Sequence, residues 1–425
     1  MFEPVEVVEI ELDRPLPELR PASGARVSTP ARALVRLHGR PLGLVDLRLG
    51  PRGLSPDACA WRIWSALRPE IAGHLAGDGL APVTTLTADG LESAGGPAPC
   101  LAGRARRRAE PVSVVIGTRD RPGPLARCLA SLAGLHDAPH EVIVVDNAPA
   151  TSATRDLVAR AHPEIRYLRE DRPGLAAAHN RGLDEARGAL VAFTDDDVTV
   201  DPRWLGEMAA GFARDGSIGC VTGLILPAEL RTPAQVWADR HWGVAKGFRE
   251  RLHTRPLRRL SPRAYPYTAG AFGSGANMAF RTAGLRARGG FDAAIGTGTP
   301  ARGGDDLAAF FDVIAAGQAI LFTPAALVWH WYAENVDALR RQAYGYGAGL
   351  TAYLAKVVAD DPTRLVDLAV RAPAALTHVR GLARTRSPGD GRPADLARLE
   401  RRGMVGGAAA YARGRLLARA RASAA

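Results

Sequence analysis

The chain has 425 residues, 47% of them hydrophobic and 23% charged, with a formal charge of +11. That length holds two or three domains with a sizeable core, and the composition excludes a disordered chain. Nearly all the basic residues are arginine, with Lys246 and Lys356 as the two lysines, so the charge suits phosphate or carboxylate partners and does not bear on the fold.

Cys59, Cys100, Cys128 and Cys220 are scattered, with no CxxC spacing. That pattern predicts neither a zinc site nor a disulfide framework. The start, Met1-Phe2-Glu3-Pro4, lacks a charged segment followed by an apolar one, so no secretory leader is expected. No apolar run approaches the ~18 residues a membrane span requires, and a cytoplasmic protein is expected.

Residues 1–80 read as a small α+β unit. Strands are predicted at 5–12, 32–37 and 44–49, with a turn at 39–43 between the last two. Ser55 and Pro56 open a helix to about residue 75, with Trp61, Ile63, Trp64, Leu67 and Ile71 at near-helical spacing and packing as its core side. Residues 81–110 are rich in Gly, Pro and Ala, end in an arginine run, and predict a linker.

From residue 111 the pattern changes. Apolar strands at 112–116, 141–145, 164–168 and 190–194 alternate with helices, which predicts a parallel sheet with helices on both faces. Polar residues follow three of these strands: Thr118 and Asp120, then Asp146 and Asn147, then Asp195-Asp196-Asp197. In a strict alternation the three groups fall on one sheet edge, where ligands of open α/β sheets sit. Asp195 and Asp197 are two apart, so an extended backbone sends both to one side. Packed carboxylates repel, and a hard divalent cation with oxygen ligands relieves that. For the triplet alone, a solvated acidic turn is the other reading.

Further on, a helix with Trp204, Leu205 and Met208 leads to a strand at 219–226. An irregular, arginine-rich insertion covers 228–266, and a strand returns at 276–280. The glycine-rich stretch 296–304 has the composition of a mobile flap, and Asp305-Asp306 follow it into a helix. Short strands are predicted at 319–322 and 326–329, with His330 after the second. From 333 on the chain reads as mostly helical. The tail from Arg401 carries arginines and no acids, and Gly403, Gly406, Gly407 and Gly414 weaken any helix there. It reads either as a solvated tail or as a basic amphipathic helix lying on an anionic membrane surface.

Several of these stretches match one family. Val112-Ser113-Val114-Val115-Ile116-Gly117-Thr118-Arg119-Asp120-Arg121 resembles the first strand and loop of the family 2 glycosyltransferases, and Val144-Val145-Asp146-Asn147 resembles their second. Gly174 to Gly182, with Asn180, resembles their ribose-side helix. Asp195-Asp196-Asp197 resembles their DXD motif, and Gly304-Asp305-Asp306-Leu307 their acidic motif. Five motifs in order make the resemblance specific. It implies a GT-A-type nucleotide-binding sheet at 111–335, between the small α+β unit with its linker and a helical C-terminal extension at 336–425.

The resemblance further implies a nucleotide-sugar donor, a divalent cation (Mn²⁺ or Mg²⁺), inversion at the anomeric carbon, and a hydroxyl acceptor on a glycan, a lipid-linked sugar or a small molecule. Carried over by motif, Asp195 and Asp197 are metal ligands, with His330 as an imidazole ligand that favours Mn²⁺. Thr118, Asp120, Asp146, Arg172, Asp195 and Asp196 face the donor, Asp305 the acceptor, and Asp306 is the general base. Plainer roles are open for three of them: His330 as a packing residue between Trp329 and Trp331, Asp306 as a helix cap, and Arg172 as a surface arginine. Gly117 stands where proline is usual, Arg119-Asp120 where an aromatic–Asn pair is common, and Asp305 where Glu is common, a shorter reach. A nucleotidyltransferase would need a glycine-rich, lysine-bearing phosphate loop after the first strand, and none is present. A basic protein that binds a sugar nucleotide or an anionic membrane without catalysis is the alternative from another class. No nucleic-acid motif appears. A lipid-linked acceptor would put the enzyme at the inner membrane face, held peripherally by its tail.

Overall fold

The structure is a computed structural model that describes residues 2–21, 28–91, 100, 110–242, 246–255, 264–371 and 395–422. Most of the linker expected at 81–110 lies outside the described residues. Two compact units are present, and each is taken by itself.

The first unit is built from residues up to 109, with 226–249 and 331–335. Strands β1 (Glu6–Glu11), β2 (Thr29–Leu37) and β3 (Arg40–Leu49) form a sheet in that order. β1 and β2 run parallel, and β2 and β3 form an antiparallel hairpin. Its two-residue tip, His38-Gly39, has positive φ at both positions (54° and 70°), the mirror-image turn that matches strand twist. Helix α1 (Pro56–Gly77) starts where expected, with the Ser55 hydroxyl accepting from the Ala58 N–H at 3.3 Å. Ile63, Leu67, Ile71 and Leu75 recur every four residues and pack on the sheet with Val35, Val45 and Leu47. Each such burial stabilises by roughly 1.5–3 kcal/mol.

Trp61, expected on that face, is 62% exposed. The buried stripe runs through 60, 63, 67, 71 and 75, and position 61 lies off it. Leu86 and Leu91, which the composition places in a linker, are buried in this core. Part of the expected insertion also belongs to this unit. Its helix α2 (Pro233–Trp242) carries Asp239, which pairs with Arg32 of β2.

The second unit holds a nine-stranded mixed sheet. Its parallel part is β4 (Val112–Thr118), β5 (Glu141–Asn147), β6 (Arg166–Glu170) and β7 (Leu190–Asp195). Successive residues of β4 and β5 are buried alike, with Val114, Val115, Ile143 and Val144 all at 0% exposure, so both faces of the sheet are covered. β9 (Ile218–Pro227), β11 (Asn277–Arg281), β12 (Ala319–His330) and β10 (Arg251–His253) extend it, with β11 antiparallel to both β7 and β9. The two short strands expected at 319–329 are one strand. Short β8 (Val198–Val200) leaves the sequential path to pair with β12.

The helices of the C-terminal extension belong to this unit. Helices α3 (Val336–Asp360) and α4 (Leu396–Ala422) pack along each other. The glycines that weaken α4 in isolation are what seat it. A Cβ on Gly403 would lie 2.2 Å from the Tyr344 carbonyl oxygen, and one on Gly407 2.3 Å from that of Ala348. Propensity is outweighed here by close backbone packing. Among the described residues, no helix is long and apolar enough to cross a membrane.

Candidate active site

Register brings the polar groups together. Within the parallel sheet, Gly117 of β4 lies opposite Asp195 of β7, and Thr118 opposite Asp146 of β5. The three loop clusters therefore share one edge, as the alternation predicts. β8 then adds a residue the local sequence could not place. Val198 pairs with His330 at the end of β12, so His330 Nε2 stands 3.4 Å from Asp197 Oδ1. One ligand atom each from Asp195, Asp197 and His330 lies within 4.8 Å of the others.

The triplet splits as its spacing requires. Asp195 and Asp197 are half-buried on one side, and Asp196 on the other is 3% exposed. Asp196 accepts from the Thr118 hydroxyl at 2.7 Å and from Arg121 at 2.6 Å, while the other arm of Arg121 reaches Asp197 Oδ2 at 2.8 Å. Burial, followed by the charges of Asp197, Asp196 and Asp305, holds the Asp195 carboxyl well above its ordinary range. Burial also raises Asp196, to about 6. Burial pushes Asp197 upward too, but His330 and Arg121 outweigh it and leave that carboxyl lowered. Two carboxylates and an imidazole form a donor set for a divalent cation, and the repulsion raising Asp195 is what a cation would relieve.

The second acidic pair opens the helix Asp305–Ala315, entered through Gly304 at φ 93°. Asp305 is buried, and burial followed by the charge of Asp306 pushes its carboxyl up to about 7. Its Oδ2 is 3.9 Å from His179 Nδ1. His179 is itself fully enclosed by Phe193 and Phe291, with its ring pKa pushed down to about 3 by burial. Asp306 is half-buried and accepts from the Gly275 N–H at 2.9 Å and the Leu307 N–H at 2.8 Å. Gly275 lies two residues before Asn277, which pairs with Thr194. Asp306 is therefore tied beside the end of β7 and aimed by two backbone donors.

The residues expected on the donor side are placed unevenly. Thr118 and Asp196 are buried on each other. Asp146 is fully buried and accepts from the Tyr167 hydroxyl at 2.9 Å, with burial raising its carboxyl above the ordinary range. Arg172 grips Glu170 with two bonds of 2.8 Å. Asp120, at φ 51°, accepts from the backbone of Ala150 and Thr151 and clips two loops of the edge together. The glycine-rich 296–304 segment is cross-tied, with Gly296 N–H on Gly303 and Leu175 N–H on the Thr297 carbonyl. Arg121 and Tyr167, which sequence reasoning gave no role, organise the carboxylates. Only three-dimensional register reveals them. A cleft of about 450 Å³ opens at Arg172, Asn180, Asp184, Arg286 and Gly290, but none of Asp195, Asp197 and Asp306 lines it, so we centre the site on the convergent carboxylates.

Comparison with known proteins agrees with the motifs. Residues 113–286 match the sequence model of glycosyl transferase family 2. A validoxylamine A glucosyltransferase of Streptomyces hygroscopicus subsp. limoneus is 32% identical over 127 residues, which are 29% of this chain and 28% of that protein. Glycosyltransferase AglE of Haloferax volcanii is 30% identical over 100 residues, 22% of this chain and 33% of that protein. The matches span between 9% and 43% of the length of the curated relatives. Among solved structures, mannosyltransferase PcManGT of Pyrobaculum calidifontis, in complex with GDP-Man and Mn²⁺, is similar with a TM-score of 0.47 and 19% identity, over 72% of this chain and 92% of that one. The chain carries a GT-A-fold domain of glycosyl transferase family 2.

Proposed function

We propose that the protein is a metal-dependent, inverting glycosyltransferase of the hexosyltransferase type, moving a sugar from a nucleoside-diphosphate donor to an acceptor hydroxyl. The observation that carries the reading is the convergence of Asp195, Asp197 and His330 on the edge where Asp306 is held by two backbone N–H groups. A divalent cation there supplies charge stabilisation for a leaving diphosphate. Asp195, Asp197 and His330 would hold it, and the imidazole favours Mn²⁺ over Mg²⁺. Asp306 takes the proton of the acceptor hydroxyl, from the face opposite the leaving group that inversion requires. Asp305 meets the acceptor. Arg121 and Thr118 fix the triplet by holding Asp196, and Asp120 and Asp146 shape the nucleotide end of the edge. Arg172 turns to phosphate only by leaving Glu170.

The test is a thermal-shift panel of UDP-, dTDP- and GDP-sugars with and without Mn²⁺, followed by transfer assays with the donor that binds. A ligand bound by the native state alone raises the apparent Tm. A Mn²⁺-dependent shift with one donor class supports the reading. Donor binding without metal dependence removes the metal from it.

A further inference from the structure

The first unit contains a second cluster of metal-ligand residues, which the cysteine spacing gave no sign of. His38 sits at the tip of the β2–β3 hairpin, His74 in the last turn of α1, and Asp78 at the C-cap of α1. Cys100 follows in sequence. His38 Nδ1 is 3.0 Å from His74 Nε2 and 3.1 Å from Asp78 Oδ2, and His74 Nε2 is 3.4 Å from the same oxygen. Cys100 Sγ lies 3.7 Å from His38 Nδ1 and 4.0 Å from His74 Nε2. All four ligand atoms are within 4.8 Å of one another. We propose that His38, His74, Asp78 and Cys100 form a structural zinc site.

The distances argue for a metal over a hydrogen-bond cluster. Zinc bound tetrahedrally by nitrogen, oxygen and sulfur at its usual bond lengths spaces the ligand atoms by about 3.3–3.8 Å. The observed edges straddle that range. A ring nitrogen carries at most one proton, along one direction, yet Nδ1 of His38 faces an imidazole nitrogen, a carboxylate oxygen and a thiol sulfur together. One cation at the centre satisfies all of them. The side chains of His38, Asp78 and His74 are 2%, 9% and 10% exposed, so the cluster is shielded from water. Thiolate and imidazole ligands select zinc over Mg²⁺ or Mn²⁺. Four protein ligands fill the coordination sphere, which marks a structural and not a catalytic zinc.

The elements are held ready for it. The Gly39 N–H donates to Glu11 at 2.9 Å and fixes the hairpin tip, and Asp78 closes α1 with its own N–H on the His74 and Leu75 carbonyls. A metal here would staple the hairpin, the end of α1 and the Cys100 position into one body. Small units that bury little core draw much of their stability from such a bond.

The full-length protein, produced with zinc supplied and then dialysed, is analysed for bound metal by mass spectrometry. An Asp197→Ala background removes a ligand from the other cluster. One zinc per chain is expected in that background and loss of it in His74→Ala, with Tm falling on the order of 10 °C. Replacing zinc by Co²⁺ gives a readout that needs no variant to fold. A tetrahedral site with one thiolate shows strong visible bands and a thiolate-to-cobalt charge-transfer band, and Cys100→Ser removes the latter. Zinc-supplied wild type that holds no zinc, zinc retained undiminished by His74→Ala, or cobalt protein with no thiolate band would each overturn the proposal.

Discussion

Among the described residues, two clusters of ligand-type residues occur, and they differ in the way that separates a fastening from a reaction centre. At His38, His74, Asp78 and Cys100, four side chains from three pieces of chain close around one point, three of them at 10% exposure or less. At Asp195, Asp197 and His330, three side chains converge, with Asp197 and His330 keeping 18% and 19% exposure and a second acid pair nearby. A fully occupied coordination sphere leaves no place for a substrate, whereas three protein ligands leave one. On the readings proposed above, the first cluster serves stability and the second turnover.

The widest break between the two comes from single-ligand variants. Asp197→Ala is expected to abolish transfer and Mn²⁺-dependent donor binding while leaving Tm near that of the wild type, because the residue lies at a strand end. His74→Ala is expected to do the reverse, lowering Tm and leaving kcat of the folded protein unchanged. Parallel melting curves and assays decide it, and near-normal turnover of Asp197→Ala would remove that residue from the metal site.

Next in size is Asp306→Asn: Oδ2 accepts from Gly275 and Oδ1 from Leu307, so the amide keeps one of these two bonds and cannot accept a proton. Turnover should fall roughly 10²–10⁴-fold with donor affinity preserved. A variant that loses donor binding instead assigns Asp306 another role.

Asp305 sharpens the comparison through pH. Its folded carboxyl titrates at about 7, above the ordinary 3.8. Between these values the folded state holds a proton that the unfolded chain has released. Its contribution therefore costs nothing below about pH 4, destabilises progressively as pH rises, and levels off above pH 7. Asp305→Asn removes that cost. The Tm of the variant minus that of the wild type should grow from pH 4 to pH 7, with a full effect on the order of 2–4 kcal/mol. A flat difference would show that Asp305 is not the group that titrates.

The smallest effect concerns the arginines on the outer face of α4. Cutting the chain at Glu400 would remove most of a packed helix. Replacing the exposed Arg401, Arg402, Arg413 and Arg419 by Glu leaves the glycine face intact and is the cleaner test. If this face meets anionic membrane, salt-sensitive flotation with anionic liposomes is lost, at about 1 kcal/mol per arginine. Unchanged flotation removes the tail from any account of the acceptor.

What was legible followed rules that act over a few residues. The two-residue period put Asp195 and Asp197 together and Asp196 apart, and strand alternation put Thr118, Asp146 and Asp195 on one edge. What was not legible depended on distant chain. Asp196 is satisfied by Thr118 and Arg121 from some 75 residues away, so its burial has no local signal. The zinc-type cluster draws on positions 38, 74, 78 and 100, where the only short spacing is His74 to Asp78. Trp61 and the α4 glycines failed for a related reason, since composition does not say which face of a helix meets which neighbour.

The α3–α4 pair has one more consequence. Gly349 of α3 abuts the Gly303-Gly304 segment so closely that a Cβ on Gly304 would lie 2.4 Å from the Gly349 carbonyl oxygen, and one on Gly347 would lie 1.9 Å from that of Glu400 on α4. Backbone thus bears on backbone from the last helix, through α3, to the turn that aims Asp305 and Asp306. Without side chains between them there is little slack to absorb a displacement. The C-terminal helices act as a rigid brace for the proposed base. A graft or trimming that shifts α4 by an ångström should register in the rate constant before it registers in the melting temperature.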